Sequence, residues 1–395
     1  MTWKETCPMD ERVRFVGEVL KGERSMSEVC ALYRISRKTG YKWLGRYESA
    51  GASGLQERSH APVHQRHAVD QAIVQRLLMA RRQHPSWGPR KLLVWLQRHD
   101  STTPHTRWPV ASTVGEILTR HGLVSPRKRT RRTPGHSTKL SDPNTPNALW
   151  CTDFKGQFRT GDARYCYPLT LTDAHSRYLL LCRGVFKPDT ESVWSWFEHA
   201  FHEYGLPLAI RSDNGPPFAS RGLGGLSRLS VWWIKLGILP ERITPGCPQQ
   251  NGRHERMHRT LKRECTQPAA ASLRAQQRAF DRFVAEYNDE RPHEALGQRP
   301  PASVYIPSTR TYPRTVPRIY YPDSYTVRHP CHSGQIKWQG QFVYVSQLLV
   351  GEPVGLYQVD EHLWRVYFGM LLLGLLDTRV HRIEPAPNSE ANSEA

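Results

Sequence analysis

The chain has 395 residues, enough for two or three domains with separate hydrophobic cores. Its 55 Lys and Arg against 36 Asp and Glu leave a formal charge of +19, while 38% hydrophobic and 10% aromatic residues rule out a disordered polycation. The composition is that of a folded protein meant to meet a polyanion. The longest apolar run, around Met370–Leu376, is far short of the roughly 20 residues that span a bilayer, so no membrane partner is expected. The first residues, MTWKETCPMD, lack the apolar centre of a secretory signal. The eight cysteines (Cys7, Cys30, Cys151, Cys166, Cys182, Cys247, Cys265 and Cys331) form no CxxC pair, which argues against structural zinc and a disulfide framework. Buried thiols in a reducing cytoplasm are expected.

The charge is unevenly placed. Residues 1–140 carry 26 basic against 11 acidic side chains, residues 141–305 carry 21 against 17, and residues 306–395 carry 8 against 8. In the first part, residues 10–21 put Val13, Val16, Val19 and Leu20 at helical spacing, and residues 26–33 give a short second helix with Val29 and Leu32 inward. Ser36 stands as an N-cap before a third helix whose Tyr41, Leu44 and Tyr47 would face the core. This reads as a helix-turn-helix over 1–60, with Arg37, Lys38 and Thr39 toward base edges and Lys42 toward phosphate. Arg34 departs from the pattern, standing in the turn where Gly is common.

A similar rhythm fills 61–125, read as a second helical DNA-binding domain: a helix over 68–84, another opened by TrpGlyProArg at 87–90, and a third capped by Ser112 or Thr113 and ended by Gly122. Residues 126–146 read as a basic linker in which Arg127, Lys128, Arg129, Arg131 and Arg132 can lie along phosphates.

After Pro146 the period changes to two. Residues 149–158, 165–172 and 178–182 read as a strand meander, followed by a helix capped by Asp189 or Thr190 and a strand over Leu208–Ser212, an α/β core over 147–305. Asp153 sits in the first strand among apolar neighbours, where an ionised carboxylate is costly without a compensating cation. Asp213 follows the last strand, at the end where α/β sites form. Glu255 falls in the first turn of a helix fed by a Gly/Pro loop, with Arg259 and Lys262 one and two turns along the same face. A carboxylate beside stacked cations suits a metal site that also grips a phosphodiester.

CysThrAspPheLysGly at 151–156, ArgSerAspAsnGlyProProPhe at 211–218 and ProGlnGlnAsnGlyArgHisGluArgMetHisArgThrLeuLysArgGlu at 248–264 resemble the three catalytic blocks of bacterial insertion-sequence transposases with a retroviral-integrase-type core. TyrAsnAspGluArgProHisGluAlaLeu at 287–296 resembles that family's closing block, and the likeness covers roughly residues 10–305. Between the first and second carboxylates lie 59 residues, and between the second and third 41, which an insertion around Gly222–Leu229 would explain. The resemblance implies a ribonuclease-H-like DDE core and Asp153, Asp213 and Glu255 as both catalytic residues and ligands of two Mg²⁺ ions, with Mn²⁺ able to substitute. Asp153 would bridge the two ions. It further implies double-stranded DNA as partner (element terminal inverted repeats and target DNA), a homo-oligomer in the DNA complex, 3′-end cleavage followed by strand transfer, and a cytoplasmic, nucleoid-associated setting.

Rival readings are fewer. Asp173 is placed at a strand turn as a cap, and Asp142, Asp162 and Asp189 as loop or cap residues. His254-Glu255-Arg256-Met257-His258 spells the HExxH zinc-peptidase motif, which needs a third ligand such as Glu264 or Glu286 and leaves Asp153 and the basic first third unexplained. On the preferred reading His254 and His258 face DNA or solvent. A helix-turn-helix regulator with an inactive core is the other alternative. Residues 306–384, with short strands expected at 325–330, 335–338, 342–345 and 362–368, read as a small β-barrel, and 385–395 as a disordered tail.

Overall fold

The computed structural model describes residues 7–57, 69–99, 107–124, 143–220, 222–244 and 247–386. Arg127, Lys128, Arg129, Arg131, Arg132 and Asp142 lie outside these residues, as does the tail from 387 onward. The chain divides into two units, 1–68 and 69–395.

The first unit holds α1 (Pro8–Lys21), α2 (Met26–Leu32) and α3 (Arg37–Ala50), closed by a 3-10 turn at Gly51–Leu55. Ser25 and Glu28 form a capping box on α2, and the Ser36 hydroxyl accepts from the Thr39 N–H at the start of α3. Phe15, Val16, Val29, Cys30, Trp43 and Leu55 make the core. Tyr41, expected inward, is exposed, and so are Val13, Leu20 and Leu32. The reason lies at Gly40, where α3 meets α2: a Cβ there would stand 2.6 Å from Cys30 Sγ and 3.0 Å from Phe15 Cζ. That close approach turns the stripe Gly40, Trp43, Leu44, Tyr47 inward and rotates Tyr41 to solvent. Arg34 adopts the left-handed conformation (φ 51°) that the turn requires.

The second unit begins with α4 (Gln71–Gln83), α5 (Pro89–His99) and α6 (Ala111–Arg120), packed around Leu77, Trp87, Leu92, Val114 and Leu118. The start of α6 corrects the expected cap: Val110 is its N-cap, and neither Ser112 nor Thr113 caps it, because both lie inside the first turn.

The central sheet follows: β1 (Leu149–Phe154), β2 (Phe158–Arg159), β3 (Tyr165–Asp173), β4 (Leu179–Val185), α7 (Thr190–Tyr204), β5 (Ala209–Ser212), α8 (Arg228–Lys235) and β6 (Leu239–Arg242). The strand expected over 149–158 is interrupted at 155–157, and β2 resumes on the same partner, β3. The strand order is β4-β3-β1-β5-β6, antiparallel through β4, β3 and β1 and parallel from β1 to β6. One face, bearing Trp150, Leu169, Leu171 and Ile210, packs on α7 and α8 through Phe197, Phe201 and Trp233. The other, bearing Cys166 and Cys182, receives Met257 and Leu261 of α9 (Gly252–Cys265) and Phe280 of α10 (Leu273–Ala285). Alternation along β3 sends Leu169 and Leu171 to the first face and Thr170 and Thr172 to the second.

The last region adds β7 (Thr326–Arg328), β8 (Gln335–Trp338), β9 (Gln341–Tyr344), β10 (Val354–Gln358), β11 (Leu363–Phe368), β12 (Leu371–Asp377) and β13 (Arg382–Pro385). These make a five-stranded antiparallel sheet, β13-β12-β11-β10-β7, and a separate β8-β9 hairpin. The sheet is open rather than the closed barrel expected, because edge strands β7 and β13 do not pair among the described residues. Its apolar face packs on Leu226 and Ile234 of the core, and Leu373 lies against Gly224. The stretch read as an insertion between the second and third carboxylates thus serves as a seat for this sheet. No helix among the described residues is long and apolar enough to cross a membrane.

The two glycines of α3 separate packing from propensity. Gly40→Ala is expected to destabilise the first unit by about 1–3 kcal/mol through overpacking. Gly45→Ala, where nothing lies within 4 Å, is expected to stabilise it by about 0.5–1 kcal/mol. Hydrogen exchange of the α3 amides in the full chain reads both; equal effects would contradict the packing of α3 on α2.

Candidate active site

β1 and β5 run side by side and parallel, with Leu149 opposite Ala209, Trp150 opposite Ile210 and Cys151 opposite Arg211. Carried forward two residues, this register brings Asp153, the fifth residue of β1, level with Asp213, which follows β5. Asp153 is mostly buried, its side chain 24% exposed. Burial, then the charge of Asp213 and, more weakly, of Glu255, raises its pKa to about 7. Burial also raises Asp213, against a hydrogen bond from the Gly215 N–H, and its Oδ1 is buried with no hydrogen-bond partner.

Glu255 arrives on α9. That helix lays His254, Met257, His258, Leu261 and Cys265 against the sheet and turns Arg253, Glu255, Arg256, Arg259 and Lys262 outward. His254 and His258, expected at solvent or DNA, are 1% and 5% exposed. The Thr170 hydroxyl meets His254 Nε2 at 2.8 Å and His258 Nε2 at 2.6 Å, and Thr172 meets His254 Nδ1 at 2.8 Å. The same Thr170 hydroxyl reaches the Asp153 carbonyl at 3.0 Å. Burial takes His254 down to about 3 and His258 to about 2, so both imidazoles are neutral. The zinc-peptidase reading fails on this geometry: three of the four ring nitrogens meet threonine hydroxyls inside the fold, and the fourth, His258 Nδ1, lies 3.7 Å from Asp153 Oδ2. Its candidate third ligands are also engaged, Glu264 by Ser86 and Arg291, and Glu286 by His84.

The loop leading to Glu255 is tied to the sheet by residues to which the sequence alone assigns no role, although Arg211, Asn214 and Gln250 fall within the blocks at 211–218 and 248–264. Arg211 donates to Glu241 Oε2 at 2.9 and 3.0 Å, and its Nη1 reaches the Gln250 carbonyl at 3.4 Å. Gln250 Oε1 accepts from the Thr244 N–H at 2.6 Å, and Asn214 Nδ2 donates to the Ile243 carbonyl at 2.7 Å. The signal for Arg211 is its place two residues before Asp213, on the same strand face.

The donor set suits a hard divalent cation: carboxylate oxygens, mutual repulsion that raises Asp153, and an orphaned buried oxygen on Asp213. Among the described residues, no three His, Cys, Asp or Glu side chains are gathered closely enough to hold an ion as they stand. Asp153 and Asp213 sit together at the strand ends, while Glu255 stands on the outer face of α9.

The decoys are accounted for. Asp173 is fully buried as a turn residue, its Oδ1 accepting from the Ser176 N–H and hydroxyl and its Oδ2 from the Asn147 N–H. Asp189 caps α7 through the Ser192 N–H, and Asp162 accepts from Thr160. Of the expected DNA contacts, Arg37, Lys38, Lys42, Arg259 and Lys262 are exposed, whereas the Thr39 hydroxyl is bonded to Ser36 at 2.9 Å. Lys42 also lies over the Trp43 ring, 4.4 Å from its centre.

Comparison with known proteins agrees with this architecture. Two integrase core domain families match residues 143–248 and 236–301. A helix-turn-helix domain family matches 11–62 and a homeodomain-like domain family 39–118. An uncharacterized 39.2 kDa protein of insertion element IS476 from Xanthomonas euvesicatoria is 28% identical over 62% of this chain and 66% of its own length. Transposase InsD for insertion element IS2D from Escherichia coli is 23% identical over 60% of this chain and 79% of its own length. The HTLV-2 integrase catalytic core domain, solved in complex with magnesium, is 17% identical and matches 42% of this chain and all of that one, with a TM-score of 0.34. The chain carries an integrase-type core behind helix-turn-helix domains, the organisation of a bacterial insertion-sequence transposase.

The buried histidines set an acid limit. Burial holds His254, His258 and also His293 (about 3) below the ordinary value near 6.5. Below that pH the unfolded chain binds protons that the folded chain does not, so their stabilising contribution is complete above about 6.5 and declines as pH falls. Asp153, raised to about 7, and Asp213, also raised, work in the opposite sense, but as two groups against three. The urea midpoint followed by tryptophan fluorescence is expected to drop between pH 7 and 5; a flat midpoint would show these imidazoles to be solvated.

Proposed function

We propose that the chain is a DNA transposase that binds the terminal inverted repeats of a mobile element, frees a 3′-hydroxyl at each end and joins it to target DNA. The observation that carries this reading is the parallel β1–β5 register, which levels Asp153 with Asp213, with Asp153 also feeling the charge of Glu255. Asp153, Asp213 and Glu255 would hold two Mg²⁺ ions, which when bound activate an oxygen nucleophile at neutral pH and stabilise the leaving oxygen. Asp153 and Asp213 present their oxygens from strand ends that packing holds fixed. Thr170, His254 and His258 seat α9 against the sheet, and Glu255, on its outer face, would complete the ligand set. Arg211 and Gln250 hold the loop before it. The exposed Arg37, Lys38 and Lys42 of α3 would read and grip the element ends, and Arg259 and Lys262 the DNA near the carboxylates. Joining two ends calls for more than one copy of the chain on the DNA.

Asp153→Asn, Asp213→Asn and Glu255→Gln are each expected to lower strand transfer by about 10³-fold or more while duplex binding persists. Chelation of divalent ions should stop the wild-type reaction, and Mg²⁺ or Mn²⁺ should restore it. Wild-type joining by any of the three variants would overturn the assignment. Arg37→Ala or Lys38→Ala is expected to weaken binding to element ends by about tenfold; unchanged footprints would take α3 out of the recognition surface.

A further inference from the structure

Round the surface of α9 from Glu255 lies a cavity of about 350 Å³ that the carboxylate chemistry does not use. Lys91 of α5 lines it from the second helical domain, Arg177 from the β3–β4 turn, Arg253, Arg256 and Arg259 from α9, and Arg291 from the closing block. Among the described residues, the only acid on its wall is Glu294. Cations gathered this way repel one another. Arg291 adds to burial in bringing Lys91 down to about 8, and Arg253 and Arg256 add to burial in lowering Arg177. Two of these groups are anchored, Arg177 to the Ala174 carbonyl and Arg291 to Glu264 at 2.8 Å. Six cations thus surround a space with room for a sugar-phosphate unit, and such a concentration of positive charge calls for an anion.

We propose that this cavity holds a backbone phosphate of a DNA strand running past the catalytic carboxylates, and that Lys91 gives the second helical domain a direct hold on that strand. Guanidinium groups suit phosphate oxygens through paired N–H donors, and Lys91 adds a point charge. Such a hold is blind to base sequence and fixes position along the strand. Lys91 and Arg256 are the groups to remove, because Arg256 is exposed and neither holds an ion pair among the described residues. The inference rests on the DNA-binding part of the proposed function and not on the carboxylate assignment.

The test is the salt dependence of duplex binding by the full chain, measured by fluorescence anisotropy. Lys91→Gln/Arg256→Gln is expected to lower the slope of log K against log[NaCl] by about 0.9 for each phosphate that the protein no longer neutralises. Lys187→Gln, which removes an exposed charge before α7, should leave it unchanged. Asp153→Asn should also keep the wild-type slope, so catalysis and phosphate binding are read separately. A wild-type slope in the double variant, with an unchanged melting temperature, would overturn the proposal. So would stabilisation of the wild type, and not the double variant, by inorganic phosphate alone without a change of slope, which would mark a site for a free anion.

Discussion

Like charges do not gather at the end of a sheet unless something holds them there. Asp153 and Asp213 meet because β1 and β5 pair in parallel, and the pairing holds them where burial and then mutual repulsion raise Asp153. The sheet must stay rigid against that repulsion, and its two apolar faces supply the rigidity: Trp150, Phe197, Phe201 and Trp233 on one side, Met257, Leu261 and Phe280 on the other. Close-packed interiors of this kind deform little.

The third carboxylate is held differently. Glu255 belongs to a helix reached through a loop, so its position depends on polar contacts. The two neutral imidazoles of α9 share the Thr170 hydroxyl, and that hydroxyl touches the backbone of Asp153 itself. A displacement of α9 is thereby coupled to the strand carrying the first carboxylate. The buried Arg211–Glu241 pair does the same for the loop, reaching from β5 to the Gln250 carbonyl. Such pairs add little net stability, but breaking one leaves a buried charge without compensation. They are better understood as devices of position.

Much of this is legible in the sequence, and the boundary has a physical cause. Asp153 stands out as an acid among apolar neighbours within a period-two run, and Asp213 because it directly follows one. The register that unites them is set by long-range pairing, which no local pattern contains. His254 and His258 turn inward against expectation although the stripe His254, Met257, His258, Leu261, Cys265 is present, because the surrounding Arg and Lys make the whole helix look solvated. Tyr41 departs from its expected place because the inward face of α3 is chosen by the close approach at Gly40 rather than by side-chain size. In the last region β12 shows in the sequence only as an apolar run, and an alternation of strands and turns does not decide whether a sheet closes.

The placement of Lys91 bears on how the second helical domain works. Sequence pattern alone makes residues 61–125 a second helical DNA-binding domain, set off from the core by a basic linker. In the structure α4 and α5 are fastened to the catalytic core: His84 meets Glu286 at 2.9 Å, Ser86 meets Glu264, and Arg263 reaches the Pro85 carbonyl at 3.2 Å. Glu264 simultaneously holds Arg291, which is 7% exposed and lies 5.9 Å from the centre of the Trp87 ring. Lifting the helices away would strip Ser86 and the Trp87 ring from the Glu264–Arg291 pair and expose the buried His84. A domain fastened in this way acts where it sits. On the proposed reading its contribution to DNA binding depends less on a recognition helix of its own than on Lys91, which it brings to the wall of the core.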